Sequence, residues 1–191
     1  MKIVFATNNI NKIKEVQSLI LSHILLVSLE SIGCHEEIPE TQNTIEGNAI
    51  QKATYIKERY GLDCFADDTG LEVNALNGAP GVYSARYAGN ERCSESNMGL
   101  LLTQLSAKKE RTARFKTVIA LYYQGELSTF KGICEGEITN VKNGSGGFGY
   151  DPIFKPLGYN KTFAELSLTT KNEIGHRGKA VKKLVNYLNR L

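Results

Sequence analysis

Residues 1–20, MKIVFATNNINKIKEVQSLI, contain the pattern that decides the fold class. Residues 3–6 are a short apolar run of the kind that forms a buried strand, and the polar residues 7–9 end it. Apolar side chains then recur at three- and four-residue spacing, as on one face of a helix. A strand, a polar turn and a helix in this order predict the start of an α/β fold.

The next part of the chain repeats this alternation. A second helix is predicted between Thr44, which can cap its start, and Gly61, which suits its C-terminal end. Short strands are predicted at residues 64–66 and 71–73, with the polar segment Asp67-Asp68-Thr69-Gly70 between them. Helices therefore separate the early strands, as in a parallel sheet.

The later part of the chain has a different pattern. Alternating apolar residues at 113–123, a Gln124-Gly125 turn and a second strand through Ile138 predict a long antiparallel hairpin. A last helix is predicted from an apolar stripe of Ala180, Val181, Leu184, Val185, Leu188 and Leu191. Together these elements predict an α/β fold with a mixed sheet, formed by residues 1–191 as one domain.

Composition excludes several classes of protein. With 191 residues and 41% hydrophobic content, the chain can build a core and is not a disordered chain. Its net charge of +3 is too small to indicate nucleic-acid binding by itself. The four cysteines form no C-x-x-C pair, which indicates free thiols of a reducing compartment. Without a membrane-length apolar run or a signal-peptide pattern, we expect a cytoplasmic protein.

The first candidate site is the polar turn with Thr7, Asn8, Asn9 and Lys12. Backbone N–H groups at a helix N-terminus attract anions, and Lys12 adds a positive charge. Asn and Thr are also the residues that ordinarily cap such a helix, so a simple capping turn is the competing interpretation. The spacing is not that of a P-loop.

The second candidate site is Asp67-Asp68-Thr69-Gly70. Two adjacent carboxylates after an apolar strand repel each other unless solvent or a cation compensates them, and magnesium prefers such oxygen ligands. Glu46, in the first turn of the second helix, is a further candidate ligand. The competing interpretations are a surface turn for the two aspartates and a helix-start acid for Glu46.

Two further clusters have features of a nucleotide pocket. The glycine-rich residues 146–152 surround Phe148, whose ring could stack on a base or could simply anchor the loop. Residues 171–179, ahead of the last helix, include Lys171, His176 and Arg177. Such donors suit a phosphate or a purine keto oxygen, although a solvated basic helix start is the alternative.

Taken together, the clusters resemble those of the Ham1/inosine triphosphatase family of non-canonical purine nucleoside triphosphate pyrophosphatases. The resemblance is ordered and covers essentially the whole chain. The matching segments are residues 5–9 with Lys12, Glu46 with residues 48–49 and 52–53, and residues 66–73, 76–89, 147–154, 162–166 and 171–180.

The resemblance implies an elongated two-lobed α/β fold with a long mixed sheet, flanking helices and a central cleft, usually a homodimer. It implies that Asp68 is the catalytic general base and, with Glu46, a ligand of Mg²⁺. The implied substrate-binding residues are Thr7, Asn8, Asn9, Lys12, Thr69, Phe148, Gly149, Tyr150, Asp151, Lys171, His176 and Arg177.

Three positions depart from the family pattern. Asn11 and Asn160 stand where glycine is common, and Gly175 replaces the serine usual before His-Arg. The last change removes a hydroxyl from the implied base pocket, so it bears on base discrimination rather than on the chemistry.

The implied activity is hydrolysis of dITP, ITP, XTP or dXTP to the monophosphate and pyrophosphate, with no nucleic-acid or membrane partner. Two alternatives stay open at this point. One is a pyrophosphatase with broad substrate specificity, and the other is a non-catalytic module that binds nucleotides or RNA. A binding role alone gives no reason for Glu46 and Asp67-Asp68 beside phosphate, because acidic side chains would repel it.

Overall fold

The computed structural model describes residues 1–190. Its helices are α1 (Ile10–Gln17), α2 (Ile45–Tyr60), α3 (Ser94–Gln104), α4 (Leu168–Ile174) and α5 (His176–Leu188). Its strands are β1 (Lys2–Phe5), β2 (Leu25–Val27), β3 (Cys64–Val73), β4 (Pro80–Gly81), β5 (Thr112–Tyr123), β6 (Glu126–Ile138) and β7 (Phe154–Pro156).

The seven strands form one mixed sheet, which confirms the predicted fold class. Their order is β2-β1-β3-β5-β6-β7, with β4 paired to β3. β1 pairs in parallel with both β2 and β3, as expected for strands separated by helices. Gln124 and Gly125 join β5 to β6 with positive φ angles of 49° and 88°, the conformation of a tight hairpin turn.

The chain divides into two compact units, each of which has its own core. The first unit comprises residues 1–68, 117–132 and 177–191, and the second comprises residues 69–116 and 133–176. The strands β3, β5 and β6 each contribute residues to both units.

The core of the first unit lies between its strands and the helices α1 and α5. It includes Phe5 and Phe65, whose rings stack 4.5 Å apart between centroids, and the stripe of α5 from Ala180 to Leu188. The stripe was predicted from the sequence up to Leu188, and Leu191 lies outside the described residues. This core fixes β1 and β3 beside the start of α1.

The core of the second unit is aromatic and surrounds the N-terminal part of β5. Phe115 contacts Phe154 with ring centroids 4.7 Å apart, and Phe163 packs on both rings. Leu101 of α3 and Leu105, the residue that follows this helix, complete this core. It supports the glycine-rich loop and α4, because Tyr150 of the loop belongs to it and Ile174 of α4 packs against it.

Two sequence predictions about local structure were wrong. Residues 64–66 and 71–73 are parts of a single strand, β3, because the carboxylates between them are buried and paired rather than exposed in a turn. Residues 171–179 are not a segment ahead of the last helix, because α4 contains Lys171 and α5 begins at His176.

The helix α2 was predicted at both ends. Thr44 accepts a hydrogen bond from the Gly47 N–H at 2.9 Å, and Gly61 ends the helix with a φ of 68°. None of the described helices is long and apolar enough to cross a membrane.

Candidate active site

Asp67 is the centre of a buried ion-pair network in the first unit. Its side chain is fully buried, and its carboxylate contacts the Lys12 ammonium at 2.9 Å and the Arg177 guanidinium at 3.1 Å. Burial alone would raise the pKa of Asp67, but Lys12 and Arg177 outweigh it and hold that pKa well below its usual value. Asp67 is therefore held in its ionised form as the counter-ion of Lys12 and Arg177.

Of the two cations that contact Asp67, Arg177 is buried and Lys12 is half-buried. Burial lowers the pKa of Lys12 despite the neighbouring Asp67. Arg177, at the start of α5, is 2% exposed and also pairs with Glu15 of α1. These two contacts of Arg177 are to carboxylates of its own unit, and its implied role in substrate binding stays a prediction.

Asp68 has a different environment although it is the next residue. Successive side chains of a strand point to opposite faces, so Asp68 faces α2 rather than α1. Its carboxylate lies 3.3 Å from the Lys52 ammonium and 3.4 Å from the Asn48 amide nitrogen, both of which are long contacts. Burial is the main reason that the pKa of Asp68 is raised, although Lys52 opposes it.

Lys52 connects two carboxylates. Its ammonium contacts Glu40 at 2.5 Å, the Asp67 carbonyl oxygen at 2.8 Å and Asp68 at 3.3 Å. Burial opposes the charge of Lys52, but Asp68 and Glu40 outweigh this effect and raise its pKa. Glu40 and Asp68 are therefore held around one cation, an arrangement of oxygens that also fits a divalent ion.

Two other observations bear on a metal. Glu46, the ligand implied by the resemblance, is half-buried in the first turn of α2. Among residues 1–190, no cluster of three or more His, Cys, Asp or Glu side chains has the geometry to hold a metal ion. A hard cation that keeps several of its waters needs only one or two protein carboxylates, so this donor set fits magnesium.

The turn before α1 caps the N-terminus of that helix. The Asn9 side chain accepts hydrogen bonds from the N–H groups of Asn11 at 3.0 Å and Lys12 at 3.2 Å, while Thr7 accepts one from Asn9. This confirms the capping interpretation for Asn9. A phosphate that binds these N–H groups would have to replace the Asn9 side chain. Asn8 is exposed, and Thr69 of β3 is half-buried.

A second cluster lies within the second unit and is built around Asp151. This carboxylate is 2% exposed and accepts hydrogen bonds from the Phe148 N–H at 2.8 Å and the Lys171 ammonium at 2.6 Å. The same ammonium lies 4.8 Å from the centroid of the Phe148 ring. Asp151 thus joins the glycine-rich loop to α4.

Gly147 is required by this arrangement. Its φ is +71°, and a Cβ atom there would lie 2.0 Å from the Asp151 carboxylate. Gly149 has a similar φ of +62°, but a Cβ atom there would meet nothing within 4 Å. Only the first glycine is therefore demanded by a close approach of a side chain.

The remaining implied base-pocket residues are buried around this cluster. The His176 ring stacks on Phe115 with centroids 4.5 Å apart, and the Tyr150 hydroxyl donates to the Ser84 carbonyl at 2.9 Å. At Gly175, a Cβ atom would lie 2.4 Å from the Lys171 carbonyl oxygen, which accepts the Gly175 N–H. A side chain at position 175 would therefore collide with the backbone of α4, and glycine avoids this collision.

Sequence reasoning missed four side chains of the first cluster: Glu15, Glu40, Asn48 and Lys52. A usable signal existed for Asn48 and Lys52, because both share the face of α2 that carries Ala49, Ala53 and Ile56. A lysine on a buried face needs a buried partner. No local signal marked Glu40, which lies in an irregular segment.

Comparisons with known proteins agree with the resemblance. The Ham1 family model matches residues 3–187. A dITP/XTP pyrophosphatase from Flavobacterium johnsoniae is 60% identical over 98% of both chains, and one from Christiangramia forsetii is 57% identical over 100% of both. The solved structure of the Staphylococcus aureus Ham1 protein is 39% identical, with a TM-score of 0.91 over 99% of this chain and 98% of that one.

Proposed function

The chain belongs to the Ham1 family, and from that premise we propose that it hydrolyses dITP, XTP and related non-canonical purine nucleoside triphosphates. The products are the nucleoside monophosphate and pyrophosphate. Relatives with 57–60% identity over nearly the whole chain are named dITP/XTP pyrophosphatases, which supports the assignment.

The contrast between Asp67 and Asp68 is the observation that carries this proposal. Asp67 is fixed by two cations, whereas Asp68 makes only long contacts and has a raised pKa. A carboxylate with a raised pKa is the stronger base of the two and is free to exchange partners. Strongly perturbed carboxylates beside several cations are typical of catalytic sites for phosphoryl compounds.

In the proposed reaction, water attacks the α-phosphorus and the bond to the β-phosphate oxygen breaks. Asp68 accepts the proton of that water and later releases it to solvent, while pyrophosphate leaves. Lys12 and Lys52 compensate negative charge that develops on the phosphate oxygens. Asp67 and Glu15 keep Lys12 and Arg177 in place.

Magnesium dependence is part of the proposal. Asp68 together with Glu40 or Glu46 would hold the ion, which supplies charge neutralisation and orientation of the triphosphate. The shared contact with Lys52 favours Glu40 as the second ligand. Comparing Glu40→Gln with Glu46→Gln for the Mg²⁺ concentration that gives half-maximal rate would separate the two ligands.

Base selection is assigned to the second cluster. Inosine and xanthine carry a keto oxygen where adenine carries an amino group. The Lys171 ammonium can donate a hydrogen bond to such a keto oxygen. A site built on hydrogen bonds discriminates by up to about 10⁴-fold when a partner is missing. We further expect a homodimer, as the family resemblance implies, and a cytoplasmic location, as expected from the cysteines and the apolar pattern of the sequence.

Pyrophosphate release from dITP, XTP, dGTP and dATP, with and without Mg²⁺, tests the proposal. We expect Mg²⁺-dependent release that is fastest with dITP and XTP. Equal rates on all four substrates would replace the proposal by a broad-specificity pyrophosphatase. Tight nucleotide binding without release would favour a binding module.

A further inference from the structure

Side chains of α2 form hydrogen bonds with the irregular segment that precedes this helix. We call residues 36–44 the strap; it contains no helix or strand and ends at Thr44, the cap of α2. The strap carries Glu40, the carboxylate that shares Lys52 with Asp68. Its placement therefore determines where the Glu40 carboxylate lies.

The part of the strap next to Glu40 is fixed through its backbone. The Thr41 N–H donates to the Gln51 side-chain oxygen at 2.9 Å, and the Gln51 amide nitrogen donates to the Thr41 hydroxyl at 2.9 Å. The Gln42 N–H donates to the Asn48 side-chain oxygen at 2.9 Å. These bonds satisfy backbone groups that an irregular segment leaves unpaired.

The far end of the strap is fixed through Glu36. One oxygen of its carboxylate accepts hydrogen bonds from the Tyr55 and Tyr60 hydroxyls and from the Arg59 side chain, each at 2.9 Å. Hydrogen bonds from its own backbone N–H, Tyr60 and Tyr55 lower the pKa of Glu36 to about 2. The Glu36 carboxylate therefore stays ionised over the whole pH range in which the protein would act.

The attachments follow the geometry of the helix. Asn48, Gln51, Lys52 and Tyr55 are spaced three and four residues apart, so they share one face of α2. The strap runs antiparallel to the helix, since Glu36 contacts its C-terminal end and Gln42 its first turns. Asn48 also contacts Asp68, so one helix face positions both carboxylates.

We propose that Gln51 and Glu36 are positioning residues that hold Glu40 beside Asp68 for a divalent cation. This inference rests on the proposed function. Gln51 contacts Thr41 of the strap, and Glu36, itself part of the strap, contacts side chains of α2, so each acts through the strap. Loss of the partners that orient metal ligands typically lowers metal affinity or activity by about 10- to 100-fold.

The test uses Mn²⁺ as a spectroscopic probe for the cation, with Gln51→Ala and Glu36→Gln as the positioning variants. Mn²⁺ affinity of the nucleotide-free protein is measured by electron paramagnetic resonance, and Mg²⁺ activation is measured by pyrophosphate release. Gln51→Glu is the rescue variant, because a carboxylate still accepts from the Thr41 N–H and hydroxyl. Glu58→Ala, at an exposed position of the same helix, is the control.

We expect Gln51→Ala and Glu36→Gln to weaken Mn²⁺ binding about tenfold or more and to shift the Mg²⁺ requirement equally, with kcat at saturating Mg²⁺ little changed. Gln51→Glu recovers Mn²⁺ binding, and Glu58→Ala matches the wild type. Unchanged Mn²⁺ affinity in Gln51→Ala, or in Glu40→Gln, overturns the inference. A wild-type protein that binds Mn²⁺ but releases no pyrophosphate from any triphosphate overturns the proposed function instead.

Discussion

At the scale of single residues, Asp67 and Asp68 show how one peptide bond can separate two roles. The alternation of a strand sends the first carboxylate to Lys12 and Arg177 and the second to Lys52 and Asn48. The pKa of Asp67 falls while that of Asp68 rises. Opposite shifts mean that the two charges have opposite effects on stability.

We expect Asp67→Asn and Asp68→Asn to differ in both stability and activity. Asp67→Asn removes the buried carboxylate that compensates Lys12 and Arg177 and lowers the free energy of unfolding at pH 7 by about 3–5 kcal/mol. Asp68→Asn removes a charge that burial disfavours, so stability is equal or higher, but kcat falls about 100-fold or more without the general base. Urea unfolding and pyrophosphate release measure the two effects.

The pH dependence of stability follows from the same shifts. The folded pKa of Asp67 lies below the ordinary value of 3.8, so its stabilisation is complete above that value and is lost as pH falls through the folded pKa. For Asp68 the cost is present above its raised pKa and absent below 3.8. Both variants should therefore approach the wild type in acid. A constant difference from pH 7 to pH 2 would contradict these assignments.

At the scale of elements, the sequence predicts what local chemistry determines. Both ends of α2 were predicted, because Thr44 and Gly61 act on neighbouring backbone groups. The continuity of β3 through Asp67 and Asp68 was not predicted, because the partners of Asp67 are 55 and 110 residues away in the chain. Candidate residues came from polar clusters and resemblance, whereas Glu40 depends on a tertiary contact with Lys52.

The glycine-rich loop gives an element-scale prediction with a matched control. Gly147→Ala and Gly149→Ala both place a side chain at positive φ, which costs about 1–2 kcal/mol each. Gly147→Ala also displaces the Asp151 carboxylate from Lys171, so we expect a larger loss of stability and a raised KM for dITP. Urea unfolding and initial rates test this. Equal losses in the two variants would show that the contact with Asp151 is unimportant.

At the scale of the whole molecule, the two units have separate cores and separate polar clusters, but they share strands. β3, β5 and β6 each pass from one unit into the other. A strand cannot lose its pairing in one half without exposing backbone groups next to the other half. The small net charge of +3 also conceals buried ion pairs in each of the two units.

We therefore expect both units to unfold in one transition. Leu184→Ala removes a fully buried side chain from the core of the first unit, and Leu101→Ala does so in the second. Each should lower the free energy of unfolding by about 2–5 kcal/mol and move the single transition without splitting it. Circular dichroism and the fluorescence of the nine tyrosines report on urea unfolding, since the chain has no tryptophan. Transitions that separate in Leu101→Ala but coincide in Leu184→Ala would mean that the second unit unfolds independently, despite the strands that it shares.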